Sequence, residues 1–600
     1  MYIRKTTRKY KGKTYTNYLL VESYLTDKGP RQKTICSLGS LEPGPRERWL
    51  DLARKVEAAL SGQICIKGIG EENEGVEEIV EKAKGGREYK KIEGMEEGDE
   101  EGIEVEEARE AGSEYVGHKM WQKLNMDDIL QKCGIRKKAR MITEMMVMNR
   151  FISPSSELAM PEWINRTALG DILNVRTDKL NEDILYRTMD KIYPAIEQIE
   201  GMLARHEESL FNLDTSIYLY DLTSTYFEGQ CPQNPQAKLG YSRDKRPDCK
   251  QLVIGLVVDR EGFAKLHEVF EGNTKDSKTV PTILDAIERR IGKRSGVTVV
   301  VDRGMAYEEN IEEIKNRGYH YIVASRQADR NKWLEDFEEE TGWQEMIRVP
   351  SSRNSGQKKS RVIIKRKHDG DLLYVLCISE GRKKKDRAIR QREERCLLSD
   401  LRNLEKRIEN GRLKNEPAIN QAIGRLKERY PRVARYYSIQ FNEQAGKLII
   451  VEQKDKKEVA EKIDGAYLLK TDRRDLTSEE IWRTYTLLTR AENAFRNIKS
   501  PLGERPIFHQ KQSRAKTHIF LCVLAYHLLV CVEKMFLDKG IHTSWASIRS
   551  ALSTHQVVTI CLPGKDGRKI KIRKDTKPEK EHREIYDVLG LPYRIIKPMK

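Results

Sequence analysis

The chain lacks several patterns that mark common protein classes. Its ten cysteines form no C-x-x-C pair and no zinc-like spacing, which predicts reduced thiols in a cytoplasmic protein rather than a disulfide framework. The opening MYIRKTTRKYKGK contains no apolar segment typical of a signal peptide. The longest apolar run, residues 519–532, has 14 residues and includes His527, so it predicts a buried core helix rather than a membrane span.

Motifs of several enzyme classes are also missing. The sequence contains no P-loop, no dinucleotide-binding fingerprint and no convincing Ser/His/Asp order. His509 and His518 lack the spacing of a metal-ligand set and predict local hydrogen bonding instead. The chemistry of this chain is therefore expected to come from other residue types.

Charge is abundant and unevenly distributed. Charged residues make up 34% of the chain, and the net charge of +17 favours a polyanionic partner, most simply nucleic acid. Residues 71–110 are instead negatively charged, with 17 acidic and 6 basic residues. A length of 600 residues exceeds one core and predicts several domains.

Composition and periodicity predict an α/β multidomain protein. Its expected parts, in chain order, are a basic N-terminal module with possible DNA binding (1–64), an acidic low-complexity linker (65–114), a helical domain (115–213), the first part of an α/β core (214–326), a β-rich insertion with a basic helical hairpin (327–470), the second part of the core (471–535) and a C-terminal tail region (536–600). The alternative for the basic N-terminus is a solvated segment without a partner.

Two aspartates stand at predicted strands of the core. Residues 217–227, IYLYDLTSTYF, predict a strand with Asp221 on its face, and the β-branched run before Asp302 predicts a second strand. The expected element order is three strands in a meander, then helix, strand, helix, strand. This order predicts a ribonuclease H-like mixed five-stranded sheet in which the first and fourth strands are neighbours. Asp221 and Asp302 would then lie side by side.

A third acid follows the insertion. Thr477 and Glu480 form a predicted capping box for one helix that reaches Lys499, and Glu492 falls in a mainly apolar stripe of that helix. Two other interpretations were weighed against this triad. Asp259 precedes Arg-Glu-Gly and predicts a hairpin turn, whereas Glu480 has a capping role in a first helical turn.

Three converging carboxylates suit a particular chemistry. Hard oxygen ligands favour Mg²⁺ or Mn²⁺, and two such ions activate a water or 3′-hydroxyl and stabilise the leaving oxygen. Asp221, Asp302 and Glu492 are therefore the predicted catalytic and metal-binding residues.

Four stretches, YDLTSTYFEG, GYSRDKRPDCKQLVIGLVVD, VVVDRGM and YTLLTRAENAFRNIK, resemble a DDE transposase of bacterial insertion sequences, in the IS-four-like superfamily. The superfamily's helix signature is Tyr, two residues, Arg, three residues, Glu, six residues, Lys. Tyr485, Glu492 and Lys499 match it, while Leu488 occupies the Arg position. The resemblance implies that Tyr485 and Lys499 contact phosphates of the transposon end.

The same resemblance supplies weaker expectations about DNA contacts. Arg490 and Arg496 are candidates to replace the missing arginine, although they point to other faces of the helix. Arg303, beside Asp302, is a further candidate, with ion pairing as its alternative. Trp333 and Trp343 are candidates for stacking on a flipped base, with core packing as theirs.

Three functions remain open at this point. The first is a transposase that cleaves double-stranded DNA at transposon ends and transfers the strand into target DNA, acting as a homodimer on paired ends. The second is a ribonuclease H-like nuclease without strand transfer. The third is a non-catalytic DNA-binding protein derived from a transposase.

Overall fold

The computed structural model describes residues 2–10, 13–26, 29–39, 53, 103–348, 360–563 and 569–597. The chain divides into two compact units, Met1–Gly102 and Ile103–Lys600. The sequence also predicts a helix at residues 46–60, which lies outside the described residues except for residue 53, as does most of the predicted acidic linker.

The N-terminal unit contains a three-stranded antiparallel sheet in the order β1-β2-β3. Its strands are β1 (Tyr2–Tyr10), β2 (Lys13–Thr26) and β3 (Gly29–Gly39). Tyr18, Leu20 and Val21 of β2 are buried, whereas Arg4 and Lys5 of β1 are exposed. The sequence predicts strands at residues 15–24 and 32–38, which β2 and β3 confirm, and the basic N-terminus contributes a third strand, β1.

The second unit begins with a helical region, as predicted. Its helices are α1 (Gly112–Lys123), α2 (Met126–Lys132), α3 (Lys137–Ile152), α4 (Met160–Arg166), α5 (Leu169–Leu173), α6 (Glu182–Ile192) and α7 (Ile196–Phe211). The methionines of α3, including Met145 and Met148, are buried in the largest apolar cluster of the protein. They therefore pack the core, as their helical spacing predicts.

A strand in the predicted linker belongs to this unit. β4 (Glu104–Glu110) pairs antiparallel with β16 (Gln556–Pro563), which also pairs with β17 (Lys569–Asp575). The linker boundary at residue 114 was therefore placed too late. The acidic composition of this segment does not predict a strand, and β16, the strand with which it pairs, lies more than 400 residues away in the sequence.

A nine-stranded sheet in the order β10-β11-β12-β15-β9-β8-β5-β6-β7 forms the centre. The strands are β5 (Ile217–Tyr226), β6 (Gln251–Val258), β7 (Ala264–Glu271), β8 (Thr298–Val301), β9 (His320–Ala324), β10 (Gln344–Arg348), β11 (Ser360–Asp369), β12 (Leu372–Ser379) and β15 (Ala466–Thr471). The five strands predicted for the core are contiguous, and β5 pairs parallel with β8 as predicted.

The predicted count of five strands was nevertheless wrong. β15, from the region predicted as an insertion, pairs antiparallel with β9 and so carries β12, β11 and β10 onto the same sheet. The unpaired backbone groups at the edge of β9 provide a template for this addition. The insertion therefore extends the core sheet.

Helices cover the core strands on both faces. On one face lie α8 (Val280–Arg290) and α9 (Glu308–Asn316), whose apolar residues pack with Tyr218 and Tyr220 of β5. The other face contacts α16 (Thr489–Lys499) and α17 (Gln512–Asp538). α17 is apolar and long enough to cross a membrane, but 83% of its most apolar window is buried inside the protein, as expected of a core helix.

Part of the insertion forms a separate small core. It contains α11 (Glu380–Glu409), α12 (Glu416–Arg429), α13 (Pro431–Ala434), β13 (Tyr437–Asn442), β14 (Lys447–Glu452) and α14 (Lys454–Lys462), while α10 (Leu334–Glu338) precedes β10. Leu397, Leu401 and Leu404 of α11 pack against Ile419 and Ile423 of α12. The leucine stripe thus forms the seam of the predicted helical hairpin.

The helix predicted from Thr477 to Lys499 is two helices, α15 (Ser478–Thr486) and α16. The hydroxyls of Thr486 and Thr489 donate to the carbonyls of Arg483 and Thr486, at 2.6 and 2.8 Å. Such side-chain bonds compete with the helical ladder and favour a tighter turn. The capping box of Thr477 and Glu480 is present as predicted. Two further helices, α18 (Trp545–Leu552) and α19 (Lys580–Leu589), lie in the C-terminal region.

Candidate active site

The register of two parallel strands sets Asp221 beside Asp302. Tyr220 of β5 is opposite Val301 of β8 in the last pair of their ladder. Asp221 follows Tyr220 within β5, and Asp302 directly follows Val301 at the end of β8, so the two aspartates come next along neighbouring chains. The sequence prediction that these aspartates are neighbours is borne out by this pairing.

Asp221 is half-buried in the middle of β5, between β6 and β8. Its Oδ1 accepts a hydrogen bond from the backbone N–H of Leu222 at 2.8 Å. Removal from water raises the pKa of Asp221 to about 7, and the charges of Asp302 and Glu492 contribute to this increase. The three acids therefore act on one another electrostatically.

Asp302 directly follows β8 and precedes a short turn of 3₁₀ helix, Arg303–Met305. Both Asp302 and Arg303 are exposed. A buried β-branched strand that ends in an exposed acid places the carboxylate at the sheet edge, where solvent and a ligand can reach it.

Glu492 lies in the first turn of α16, which packs against β5. Ala491, Ala494 and Phe495 are buried against the core, whereas Glu492 is exposed. The prediction that Glu492 faces the sheet within an apolar stripe was wrong about its burial. Because α16 begins after the turn at Leu488, its packing face is not the continuous stripe of a single helix.

The carboxylate oxygens of Asp221, Asp302 and Glu492 do not all lie close enough to one another to bind a single ion. Among the described residues, two groups of ligand atoms lie within 4.8 Å of one another: Glu157 with His509 and His518, and Glu104 with Glu106 and Cys561. In the first group, the Arg150 guanidinium lies 2.5 Å from Glu157 and supplies the cation itself. Nε2 of His518 is 2.9 Å from the carbonyl oxygen of Glu504, consistent with its predicted hydrogen-bonding role.

Tyr485 is half-buried near these acids. Burial raises its pKa, as do the charges of Asp302 and Glu492, while Arg382 and Arg303 lower it. Its side chain thus lies among the acids and two arginines. Leu488, at the position where the resemblance expects arginine, is buried in the core.

Lys499 does not present a free charge to the surface. Its Nζ lies 2.8 Å from Oδ1 of Asp244, and both side chains are buried. Asp244 also pairs with Arg505. The sequence predicts a phosphate contact for Lys499, whereas the structure places its ammonium in this buried pair.

The remaining predicted arginines occupy different surroundings. Arg496 is exposed on α16. Arg490 is half-buried and lines a small cavity with Glu261 and Leu537, near the turn between β6 and β7. The structure therefore does not gather Arg303, Arg490 and Arg496 into one cluster.

The rival residues have structural roles. Asp259 is buried in the β6–β7 turn, where its Oδ1 accepts hydrogen bonds from the backbone of Glu261, Gly262 and Phe263 at 2.8–2.9 Å. Trp333 is buried and packs on Tyr374, with ring centroids 5.3 Å apart. Trp343 packs on Phe337. The contacts of both tryptophans are those of core packing, which was the alternative to stacking on a flipped base.

Arg243 is a site residue that the sequence reasoning did not single out. Its charge lowers the pKa of Asp221, its guanidinium lies 2.7 Å from Asp276, and its backbone N–H donates to the Ser224 hydroxyl of β5 at 3.0 Å. It lines a cavity of about 370 Å³ together with Tyr241, Lys275 and Tyr307. The signal was present, because Arg243 lies within the basic stretch GYSRDKRPDCK.

Comparisons with known proteins identify the family of the chain. Residues 213–528 match the family model "Transposase DDE domain", and residues 3–63 match "IS1634 family transposase, N-terminal domain". No curated protein matches the chain. One similar solved structure is the cryo-EM structure of a piggyBac transposase synaptic complex with hairpin DNA, which has 9% sequence identity, a TM-score of 0.34 and 70% coverage of each chain. Enzymes of the DDE family act on DNA and use divalent metal ions. The chain therefore belongs to the DDE transposases of insertion sequences and is a DNA transposase.

Proposed function

We propose that Asp221, Asp302 and Glu492 bind two Mg²⁺ or Mn²⁺ ions and form the catalytic centre for DNA cleavage and strand transfer. The observation that carries this proposal is the register that places Asp302 beside Asp221 at the end of the β5–β8 ladder. The influence of Glu492 on the pKa of Asp221 supports the third position.

The donor set fits such ions. All three groups offer hard oxygen ligands, and the pKa of Asp221 is raised first by burial and then by the charges of Asp302 and Glu492, effects that a bound cation would oppose. When bound, the ions would supply activation of the attacking oxygen and stabilisation of the leaving oxygen.

Other side chains would hold the DNA in place. Exposed Arg303 and Arg496 are proposed phosphate contacts, and the Tyr485 hydroxyl is a proposed hydrogen-bond donor to a phosphate oxygen. Arg243 is proposed to orient the reacting strand, because it lies between Asp221 and the cavity at Tyr241. Lys499 is proposed to position α16 through Asp244, and Arg490 is assigned no DNA contact.

The strand order supports a ribonuclease H-like core. In the series β7-β6-β5-β8-β9, the first three strands are antiparallel and the last two join in parallel. This is the order expected of that fold, extended by the strands of the insertion. The proposed assembly is a homodimer on paired ends, and the proposed compartment is the cytoplasm, consistent with nine free cysteines among the described residues.

The decisive experiment is cleavage of supercoiled DNA carrying the element ends, with Mg²⁺, by wild type and Asp302→Ala. The variant should lose cleavage but retain DNA binding, because Asp302 is exposed and supports no buried contact. Asp455→Ala, an exposed acid in the first turn of α14, is the matched control and should cleave normally. Cleavage by Asp302→Ala at the wild-type rate would refute the assignment.

Two further assays separate the alternative functions. Joining of pre-cut ends to a plasmid distinguishes a transposase with strand transfer from a nuclease alone. Metal-dependent nicking excludes a non-catalytic DNA-binding protein. Both activities should be lost together in Asp221→Asn, since one centre would perform both steps.

A further inference from the structure

One face of α11 packs inside the helical hairpin. Leu397, Leu401 and Leu404 are buried against α12, and they repeat at the spacing of a single helix face. Successive residues of an α-helix are rotated by about 100° around its axis. The sequence of this 30-residue helix therefore shows which side chains lie on the opposite face.

That opposite face carries six exposed cations, here called the α11 basic face: Lys384, Lys385, Arg392, Arg395, Arg402 and Lys406. They fall within an arc of about 100° around the helix. The acidic residues between Lys384 and Lys406 all lie outside this arc. A solvated surface helix usually mixes both signs of charge, so this segregation is a distinct feature of α11.

None of the six cations forms an ion pair within the part of the chain that the structure describes, and Nε of Arg395 donates a hydrogen bond to the carbonyl oxygen of Gln391 at 3.3 Å. By contrast, cations on the flank of the helix are used internally: Arg390 and Arg387 pair with Asp464 at 2.6 and 3.5 Å. Asp386 accepts a hydrogen bond from the backbone N–H of Gly465 at 3.0 Å. Asp386 and the flanking arginines are thus engaged in the fold, whereas the basic face is left available to a partner.

The helix begins at the candidate active site. The guanidinium of Arg382, in its first turn, lies 4.3 Å from the ring centre of Tyr467. The Tyr467 hydroxyl in turn accepts a hydrogen bond at 2.8 Å from Nε1 of Trp482 in α15, the helix that also carries Tyr485. From Lys384 to Lys406 the basic face extends roughly 33 Å, close to one turn of B-DNA.

We propose that the α11 basic face binds the phosphate backbone of the double-stranded DNA that leads away from the reacting phosphate. Flexible lysines and arginines in a row, without neighbouring aromatic residues, suit phosphate contacts that do not depend on base sequence. The position of the reacting phosphate rests on the proposed function of Asp221, Asp302 and Glu492, whereas DNA binding by this face does not.

The test measures binding of the full-length protein to a 30-base-pair duplex of arbitrary sequence over a range of NaCl concentrations. The triple variant Arg395→Gln, Arg402→Gln, Lys406→Gln removes three charges from exposed positions, away from the leucine seam. Each lost phosphate contact lowers the slope of log K against log[salt] by about 0.9. The slope should therefore fall by about 2–3.

Two controls separate this effect from a general loss of charge. Arg136→Gln, Lys137→Gln, Lys138→Gln removes three exposed cations at the start of α3 and should leave the slope unchanged. Arg395→Lys, Arg402→Lys keeps the charge and should retain the wild-type slope. An unchanged slope in the first variant, or an equal fall in the α3 control, would overturn the proposal.

The same assay keeps the two proposals apart. Asp302→Ala should bind with the wild-type salt slope but fail to cleave, whereas the α11 triple variant should recover cleavage at low salt. A triple variant with normal binding refutes the α11 proposal alone, and normal cleavage by Asp302→Ala refutes the active-site assignment alone.

Discussion

The ammonium of Lys499 lies 2.8 Å from Oδ1 of Asp244, and the pair is buried. Lys499 ends α16, which carries Glu492, while Asp244 follows Arg243 in the loop beside β5. The pair thus ties together the two parts of the core that the insertion separates in sequence. It holds α16, which carries the proposed metal ligand Glu492, against the loop beside β5, the strand that carries the proposed ligand Asp221.

Asp244→Asn should destabilise the protein and impair cleavage. Asp244 is shared by Lys499 and Arg505, so its neutralisation removes the carboxylate charge with which both cations pair. Removal of one partner from a buried pair costs about 3–5 kcal/mol. Urea unfolding followed by tryptophan fluorescence measures this loss.

Asp248→Asn provides the matched control for Asp244, since Asp248 lies in the same loop but is exposed. Its urea midpoint should stay close to that of wild type. If Asp244→Asn unfolds at the wild-type midpoint, the pair does not stabilise the core.

Tyr485→Phe tests the proposed phosphate contact. The ring would remain, so packing and stability should be unchanged, while one hydrogen bond to a charged phosphate would be lost. Such bonds contribute about 1.5–3 kcal/mol, which corresponds to roughly a 10- to 150-fold decrease in kcat/KM for end cleavage.

Tyr186→Phe is a suitable control for Tyr485→Phe because Tyr186 is a half-buried tyrosine of the helical region. It should cleave as wild type does. A Tyr485→Phe enzyme with full kcat/KM would show that the hydroxyl makes no contact that matters for the reaction.

Glu114 makes the stability of the protein depend on pH. Burial raises its pKa to about 8 from an ordinary value of 4.5. Between these values the folded state keeps a proton that the unfolded state releases, so stability falls as pH rises through this window, by up to about 1.4 kcal/mol per pH unit. Glu114→Gln should remove this contribution and gain stability relative to wild type from pH 5 to pH 8.

Thermal unfolding at pH 5, 6.5 and 8 measures the Glu114 effect. Glu312→Gln, at an exposed position of α9, should follow the wild-type profile. A constant difference in Tm between wild type and Glu114→Gln across this range would contradict the assigned burial of the charge.

The local elements were predictable because their causes are local. The β-branched run before Asp302, the capping box of Thr477 and Glu480, and the leucine seam of α11 each lie within one short segment. Parallel pairing of β5 with β8 followed from the order of elements, and this order was enough to predict Asp221 and Asp302 as neighbours.

Only the tertiary structure decided the relationships between distant segments. The extension of the sheet through β15 and the pairing of β4 with β16 depend on which strand edges meet, and no sequence period encodes that choice. The buried pair of Lys499 with Asp244 joins residues 255 positions apart, so composition alone could not distinguish it from a surface lysine that awaits a phosphate. The sequence by itself determined which acids are proposed to carry the chemistry, whereas long-range packing determined that the charge of Lys499 is held in a buried pair.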